Sequence, residues 1–260
     1  MRFLQRITVL MFVVVSLAFV GSRLYLSRMA DRTPPVLTCD SSILEISLGD
    51  SQTTLLSGVT ASDNRDGDLT DQVLIKGVSQ LITADTAKVT YIVFDSSNNM
   101  ATAQRTLRYL NYEKPRFSMS APLVFAVGEQ TQLLPCLSAS DLVDGDLSHG
   151  IRVINHNVDN SRPGRYRVTL QVTNSLGDTE SLPVSVLICE QLPAVPALTL
   201  SEYIVYLEQG ESFSPASYIR TPADIGEVEI DAQVNSNVPG VYEVSYTHRN
   251  YTVCQTVVVR

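Results

Sequence analysis

Hydrophobic and polar positions divide the chain into two regimes. From Ile7 to Gly21 every residue is apolar or small except Thr8. Residues 22–26 can extend this run, with Arg23 reaching out to an interface. The pattern predicts one N-terminal helix that approaches the roughly 20 apolar residues needed to cross a bilayer. Beyond residue 33 the pattern becomes short and β-like. Residues 88–94 are β-branched and aromatic, and residues 165–172 alternate polar with apolar, as residues 240–246 do again. The stretches 103–110, 182–188 and 252–259 are equally rich in strand formers. Strands punctuated by turn residues at short intervals predict an all-β protein, and no later segment has a helical period of useful length.

The β region repeats. Ala61-Ser62-Asp63-Asn64-Arg65-Asp66-Gly67-Asp68-Leu69-Thr70 recurs 78 residues on as Ala139-Ser140-Asp141-Leu142-Val143-Asp144-Gly145-Asp146-Leu147-Ser148. Upstream, Leu48-Gly49-Asp50 matches Val127-Gly128-Glu129 and Gln209-Gly210-Glu211. Downstream, Pro163-Gly164-Arg165-Tyr166-Arg167-Val168 matches Pro239-Gly240-Val241-Tyr242-Glu243-Val244, while the first copy has Ala87 at the Tyr position. Landmarks in one order at one spacing mark tandem modules. Pro-containing junctions then divide the chain into an anchor and spacer over 1–32, repeats over 33–112 and 113–191, and a divergent repeat over 192–260. Short junctions imply a semi-stiff string of modules.

The A-S-D-x-x-D-G-D-L-[ST] segment, the G-x-Y-x-V strand and Phe94-Asp95-Ser96-Ser97-Asn98-Asn99 together resemble bacterial immunoglobulin-like repeats. Such repeats occur in bacterial surface proteins and in some pesticidal crystal proteins. The resemblance covers the first two repeats and the second half of the third, where Thr221-Pro222-Ala223-Asp224-Ile225-Gly226 replaces the acidic turn. It implies three tandem immunoglobulin-like β-sandwich domains, displayed outside the cell as binding or structural modules. Tyr166 and Tyr242 are similar to the tyrosine corner of such folds.

The N-terminal helix has two readings: a signal anchor that leaves residues after about 28 outside the cell, or a signal peptide cleaved to release a secreted protein. Ala18-Phe19-Val20-Gly21-Ser22 lacks a clean cleavage pattern, which favours the anchor. The net charge is −8, and five arginines and one acid precede residue 33, so the remainder carries 14 bases against 26 acids. An acidic exterior disfavours nucleic acid and tolerates cations.

Candidate chemistry is sparse. Asp63, Asp66 and Asp68, and likewise Asp141, Asp144 and Asp146, offer three carboxylates in six residues to Ca²⁺, although an Asp/Gly turn explains the same spacing and the twelfth-position glutamate of an EF-hand is missing. No other cofactor is expected. Of four cysteines, Cys136 and Cys189 alone fall in one repeat and form the candidate disulfide. Three histidines and no nucleophile elbow, phosphate loop or metalloprotease motif argue against an enzyme. Tyr203, Tyr206 and Tyr218 cluster in the divergent repeat, and Tyr203 and Tyr218 are the candidate ligand surface. The functional expectation is non-catalytic adhesion or binding to a protein or glycan at the cell surface. The alternative is a structural spacer, or an envelope component that docks another membrane or wall protein.

Overall fold

The structure is a computed structural model that describes residues 2–29, 31–193, 197–221 and 227–260. Helix α1 spans Arg2–Met29, and within it residues 5–25 form a 21-residue stretch of mean hydropathy 2.2 with no protein packed against it. At 1.5 Å per residue that stretch is about 32 Å long, enough to cross a hydrocarbon core. Everything else is mostly strand, as the period-2 pattern predicts.

The chain forms two compact units, residues 1–110 and 111–260. The first unit contains strands β1 (Val36–Cys39), β2 (Ile43–Ile46), β3 (Val59–Asp63), β4 (Gly67–Asp68), β5 (Leu74–Val78), β6 (Thr86–Phe94) and β7 (Met100–Tyr109). They build a three-stranded sheet in the order β1-β3-β4 and a four-stranded sheet in the order β2-β7-β6-β5. All neighbouring pairs are antiparallel except β2 with β7, which run parallel.

The second unit repeats the plan. Its first half has β8 (Arg116–Met119), β9 (Val124–Ala126), β10 (Leu137–Asp141), β11 (Gly145–Asp146), β12 (Arg152–His156), β13 (Gly164–Thr173) and β14 (Thr179–Cys189). These form sheets β11-β10-β8 and β12-β13-β14-β9, with β9 parallel to β14. The second half has β15 (Thr199–Leu200), β16 (Ile204–Leu207), β17 (Ile219–Thr221), β18 (Val228–Ala232), β19 (Gly240–His248) and β20 (Tyr251–Val259), in sheets β15-β17 and β16-β20-β19-β18. Thus the four-stranded sheet recurs three times with one strand order. The third copy has no counterpart of β4 or β11 among the described residues, where the acidic turn is missing from the sequence.

The boundary expected after residue 112 falls after Leu110, and residues 113–191 and 192–260, expected as separate modules, belong to one unit. The physical reason is a shared core: one cluster of buried side chains runs from Phe117, Leu170 and Val184 to Leu198, Val205 and Val257. Strands β14 and β20 are buried on both faces along their second halves. The runs Val184-Ser185-Val186-Leu187-Ile188 and Val257-Val258-Val259 are continuously apolar apart from Ser185, as doubly covered strands require. Polar ties seal the contact: Arg165 Nη1 lies 2.6 Å from Glu243, Ser185 bonds the same carboxylate, and Arg260 meets Glu180 at 3.1 Å. Tyr206 accepts the Phe117 N–H at 2.8 Å, between the guanidiniums of Arg116 and Arg260.

The three copies fill one core position differently. Arg105, Val184 and Gln255 sit opposite Val89, Val168 and Val244, and Tyr91, Leu170 and Tyr246 lie two residues along the partner strand. Arg105 is 2% exposed, donates to Tyr91 Oη and to the carbonyls of Leu55 and Ser57, and approaches Asp40 at 3.4 Å. The third copy pairs Tyr246 Oη with Gln255 Oε1 at 2.7 Å. The second copy uses Leu170 and Val184, fully buried and apolar.

Candidate functional site: the acidic turns and the pocket behind them

Each acidic turn is a hydrogen-bonded local structure. Asp63 Oδ1 accepts the N–H groups of Arg65 and Asp66 at 2.7 and 3.0 Å, and Gly67 supplies a φ of +75°. Asp68 Oδ1 accepts the Thr70 N–H, and Asp66 reaches across to the N–H and hydroxyl of Ser96. The second copy reproduces these bonds. Asp141 accepts from Val143 and Asp144, Gly145 has a φ of +72°, Asp146 accepts from Ser148, and Asp144 accepts the Ser175 N–H at 2.6 Å. The donors hold Asp63, Asp68 and Asp146 below the usual carboxylate range: backbone N–H groups of Arg65 and Asp66 for Asp63, and the hydroxyls of Thr70 and Ser148 for the other two. Asp66 and Asp68, and their counterparts Asp144 and Asp146, therefore spend carboxylate oxygens on the turn and the neighbouring loop.

Asp63 has a second role. Its carboxylate shares a pocket with Asp31, from the segment after α1, and Asp95, at the end of β6. One oxygen of each lies within 4.8 Å of the others. The side chain of Asp31 is 5% exposed and Asp95 is 6% exposed. Asp31 accepts the Thr33 N–H and faces Arg65 Nε at 3.4 Å. Asp95 accepts the N–H groups of Ser97 and Asn99 and the Asn99 amide. That amide also donates to the Asp31 carbonyl at 3.2 Å, tying the entry segment to the loop. Asp63 Oδ2 is shut off from solvent and has no hydrogen-bond partner.

The matching pocket of the second copy is chemically different. Asn174 stands where the first copy has Asp95, and Asp178 where it has Asn99. Asn174 Nδ2 donates to Asp141 Oδ2 at 2.9 Å and to Tyr112 Oη at 3.0 Å, and Tyr112 donates to Asp178 at 2.6 Å. Burial, first of all, raises the Tyr112 phenol far above its ordinary value, so it stays a neutral donor.

The remaining expected site residues lie apart from these pockets. Tyr203 is 4% exposed, and its hydroxyl accepts the Leu200 N–H, so it belongs to the core and not to a ligand surface. Its position next to Ile204 and Val205 at the start of β16 turns the ring inward. Tyr218 is half-buried and packs against Phe213 with centroids 5.7 Å apart. Cys136 and Cys189 are half-buried free thiols, the first ahead of β10 and the second at the end of β14, on segments of different sheets. Tyr166 and Tyr242 form corners: each hydroxyl donates to the carbonyl four residues back, of Arg162 and Val238, at 2.9 Å.

These features define the class: an all-β repeat protein with one N-terminal apolar helix. No family model matches the chain. The pesticidal crystal protein Cry22Aa of Bacillus thuringiensis is 28% identical over 160 residues, 60% of this chain. The chain spans about a fifth of that relative, 21% of its length. Among solved structures, the CBM51-2 and INT domains of Clostridium perfringens ZmpB, in complex with GlcNAc, are 17% identical with a TM-score of 0.24, covering 54% of this chain and 30% of that one. The lipoprotein BT2262 from Bacteroides thetaiotaomicron is 11% identical with a TM-score of 0.22, covering 85% and 98%. The S-layer protein rSbsC is 12% identical with a TM-score of 0.20, covering 88% and 41%. Structural likenesses with TM-scores this low carry no argument about function.

Proposed function

We propose that the chain is a single-pass membrane protein that holds immunoglobulin-like β-modules outside the cell as a non-catalytic surface module. The observation that carries this reading is the unpacked 21-residue apolar stretch of α1, joined by a few residues to an all-β body. An apolar helix with no protein against it is stable in lipid and costly in water. Of the two roles for such a module, display or spacing gains from one finding and ligand binding loses by it: Tyr203 is in the core and Tyr206 in an internal contact, so the aromatic surface expected on the divergent repeat is reduced to Tyr218. Docking of a protein or glycan partner through another face is the second reading.

Membrane fractionation and protease shaving of intact cells test the location. An anchored chain resists alkaline carbonate extraction and loses residues beyond 28 to external protease. Recovery of a soluble chain from the medium that lacks α1 would replace the anchor by a cleaved signal. The full chain in lipid nanodiscs, presented to glycan and matrix-protein arrays, then separates the roles. Saturable binding to one array member selects the binding role, and co-purification with a membrane or wall protein without array binding selects the spacer.

A further inference from the structure

We propose that Asp31, Asp63 and Asp95 form a calcium site that fastens the segment after α1 to the first β-unit. Three carboxylates meet in this pocket, the Arg65 guanidinium lies 3.4 Å from one of them, and two of the three side chains are more than nine-tenths buried. Carboxylates gathered this closely away from solvent repel one another, and a cation between them relieves that repulsion.

The independent sign of a ligand is Asp63 Oδ2, closed to solvent and without a donor. In the second copy the same fold supplies that oxygen with a donor of its own. The equivalent oxygen, Asp141 Oδ2, takes a hydrogen bond from the Asn174 amide, and the Tyr112 phenol, which donates to Asp178, keeps the two carboxylates on separate donors. In the first copy the amide has moved four residues on, to Asn99, and a carboxylate faces a carboxylate. The loops are otherwise alike: Asp95 and Asn174 each accept, through their carbonyls, the N–H three residues on, of Asn98 and Gly177. The exchange therefore moves the carboxylate and the amide between two positions without changing the backbone or the summed charge.

The donors are all hard oxygens, which suits calcium or magnesium and not zinc. Three oxygens within 4.8 Å of one another have a common centre at most about 2.8 Å from each, so side-chain shifts of a few tenths of an ångström bring all three to the roughly 2.3–2.6 Å of calcium–oxygen contact. Calcium accepts such an irregular set, with further oxygens from backbone or water, more readily than magnesium does. The site rests on this pocket alone and not on the membrane location.

The test uses the full chain in detergent micelles, stripped with chelator and dialysed. Calorimetric titration with calcium chloride is expected to read one site per chain with a Kd of about 10⁻⁴–10⁻³ M, the range of extracellular modules. In thermal unfolding, 5 mM calcium chloride is expected to raise the transition of the first unit by on the order of 5 °C. Asp95→Asn, which installs the second copy's amide, removes both responses while its melting temperature in chelator equals or exceeds that of the parent. Asp31→Asn, in the entry segment outside the sheets, is the second variant and also removes the heat of binding. Asp66→Asn, in the turn, keeps it. Absence of calcium heat in the parent chain, a response that survives both Asp95→Asn and Asp31→Asn, or an equal response to magnesium chloride would overturn the assignment.

Discussion

The first and second copies of the repeat share a strand plan and an acidic turn, yet they solve the same two polar problems in opposite ways. In the core, the first copy buries Arg105 against Tyr91, and the second places Val184 and Leu170 at the same positions. Behind the turn, the first copy gathers three carboxylates, and the second gives each of its two, Asp141 and Asp178, an amide or phenol donor in one connected network. Backbone geometry is thus set by the turn and strand residues that the copies share. The polar filling is free to diverge, and most of its buried donors and acceptors find partners, Asp63 Oδ2 and Arg105 Nε in the first copy being exceptions.

The comparison can be broken from either side. The largest effect is expected from Val184→Arg, which puts the first copy's cation into the second copy's apolar core with Leu170 and not tyrosine as its neighbour. A loss above about 4 kcal/mol is expected, read as failure of the second unit to show a cooperative denaturant transition. A normal transition would mean the core can hydrate an arginine unaided. Next, Arg105→Ala takes the donor from the Ser57 carbonyl and one of two bonds from the Tyr91 hydroxyl, which still donates to the Leu55 carbonyl at 2.6 Å. It also empties a buried site, with an expected loss of about 3 kcal/mol in urea unfolding of the first unit. The double change Arg105→Val with Tyr91→Leu copies the second repeat and should recover part of that loss; if it is no better than Arg105→Ala, the two fillings are not interchangeable.

Smaller effects sharpen the picture. Asn174→Asp sets a carboxylate against Asp141 and should cost about 2 kcal/mol at pH 7, with stability regained on adding calcium chloride. Tyr166→Phe and Tyr242→Phe each remove one hydroxyl-to-carbonyl bond and should cost about 1 kcal/mol in the second unit. The smallest effect is on pH. Asp68 and Asp146 have folded-state values below the ordinary 3.8, so they favour the folded state above that value, and this contribution is lost as pH falls through the folded values. The urea midpoint should therefore drop on acidification below about pH 4, and Asp68→Asn combined with Asp146→Asn should flatten that drop.

Much of the fold is legible in residue order because it is local. The alternation of residues 165–172 becomes β13, the Gly49, Gly128 and Gly210 turns all have positive φ, and in each the acid that follows, Asp50, Glu129 or Glu211, accepts the N–H three residues back. The tyrosine corners are visible for the same reason. The pocket is not legible, because Asp31 and Asp95 each lie 32 residues from Asp63 and meet it only after the strands pair. One signal was available: Asp95 and Asn99 against Asn174 and Asp178, the same two residue types exchanged at a common offset. Fusion of the second and third copies was hidden likewise, since both-face burial shows only as the interrupted alternation of 184–188 and 257–259. Tyr203 misled because an aromatic residue near a turn reads as exposed until the strand after it is seen to enter the core.

The parallel pairing of β2 with β7 carries a mechanical consequence. The strand near the entry of the first unit and the strand at its exit lie side by side, with Ile43 to Ile46 in register with Thr106 to Tyr109. Tension applied between α1 and residue 111 pulls these two strands along their length in opposite directions. Their cross-strand bonds are then strained together and do not open one at a time. A chain tethered at its lipid end and gripped farther out would resist extension up to a single rupture force. Pulling experiments on the full chain should record that force, and Leu44→Pro, which removes a donor from β2, should lower it without unfolding the resting protein.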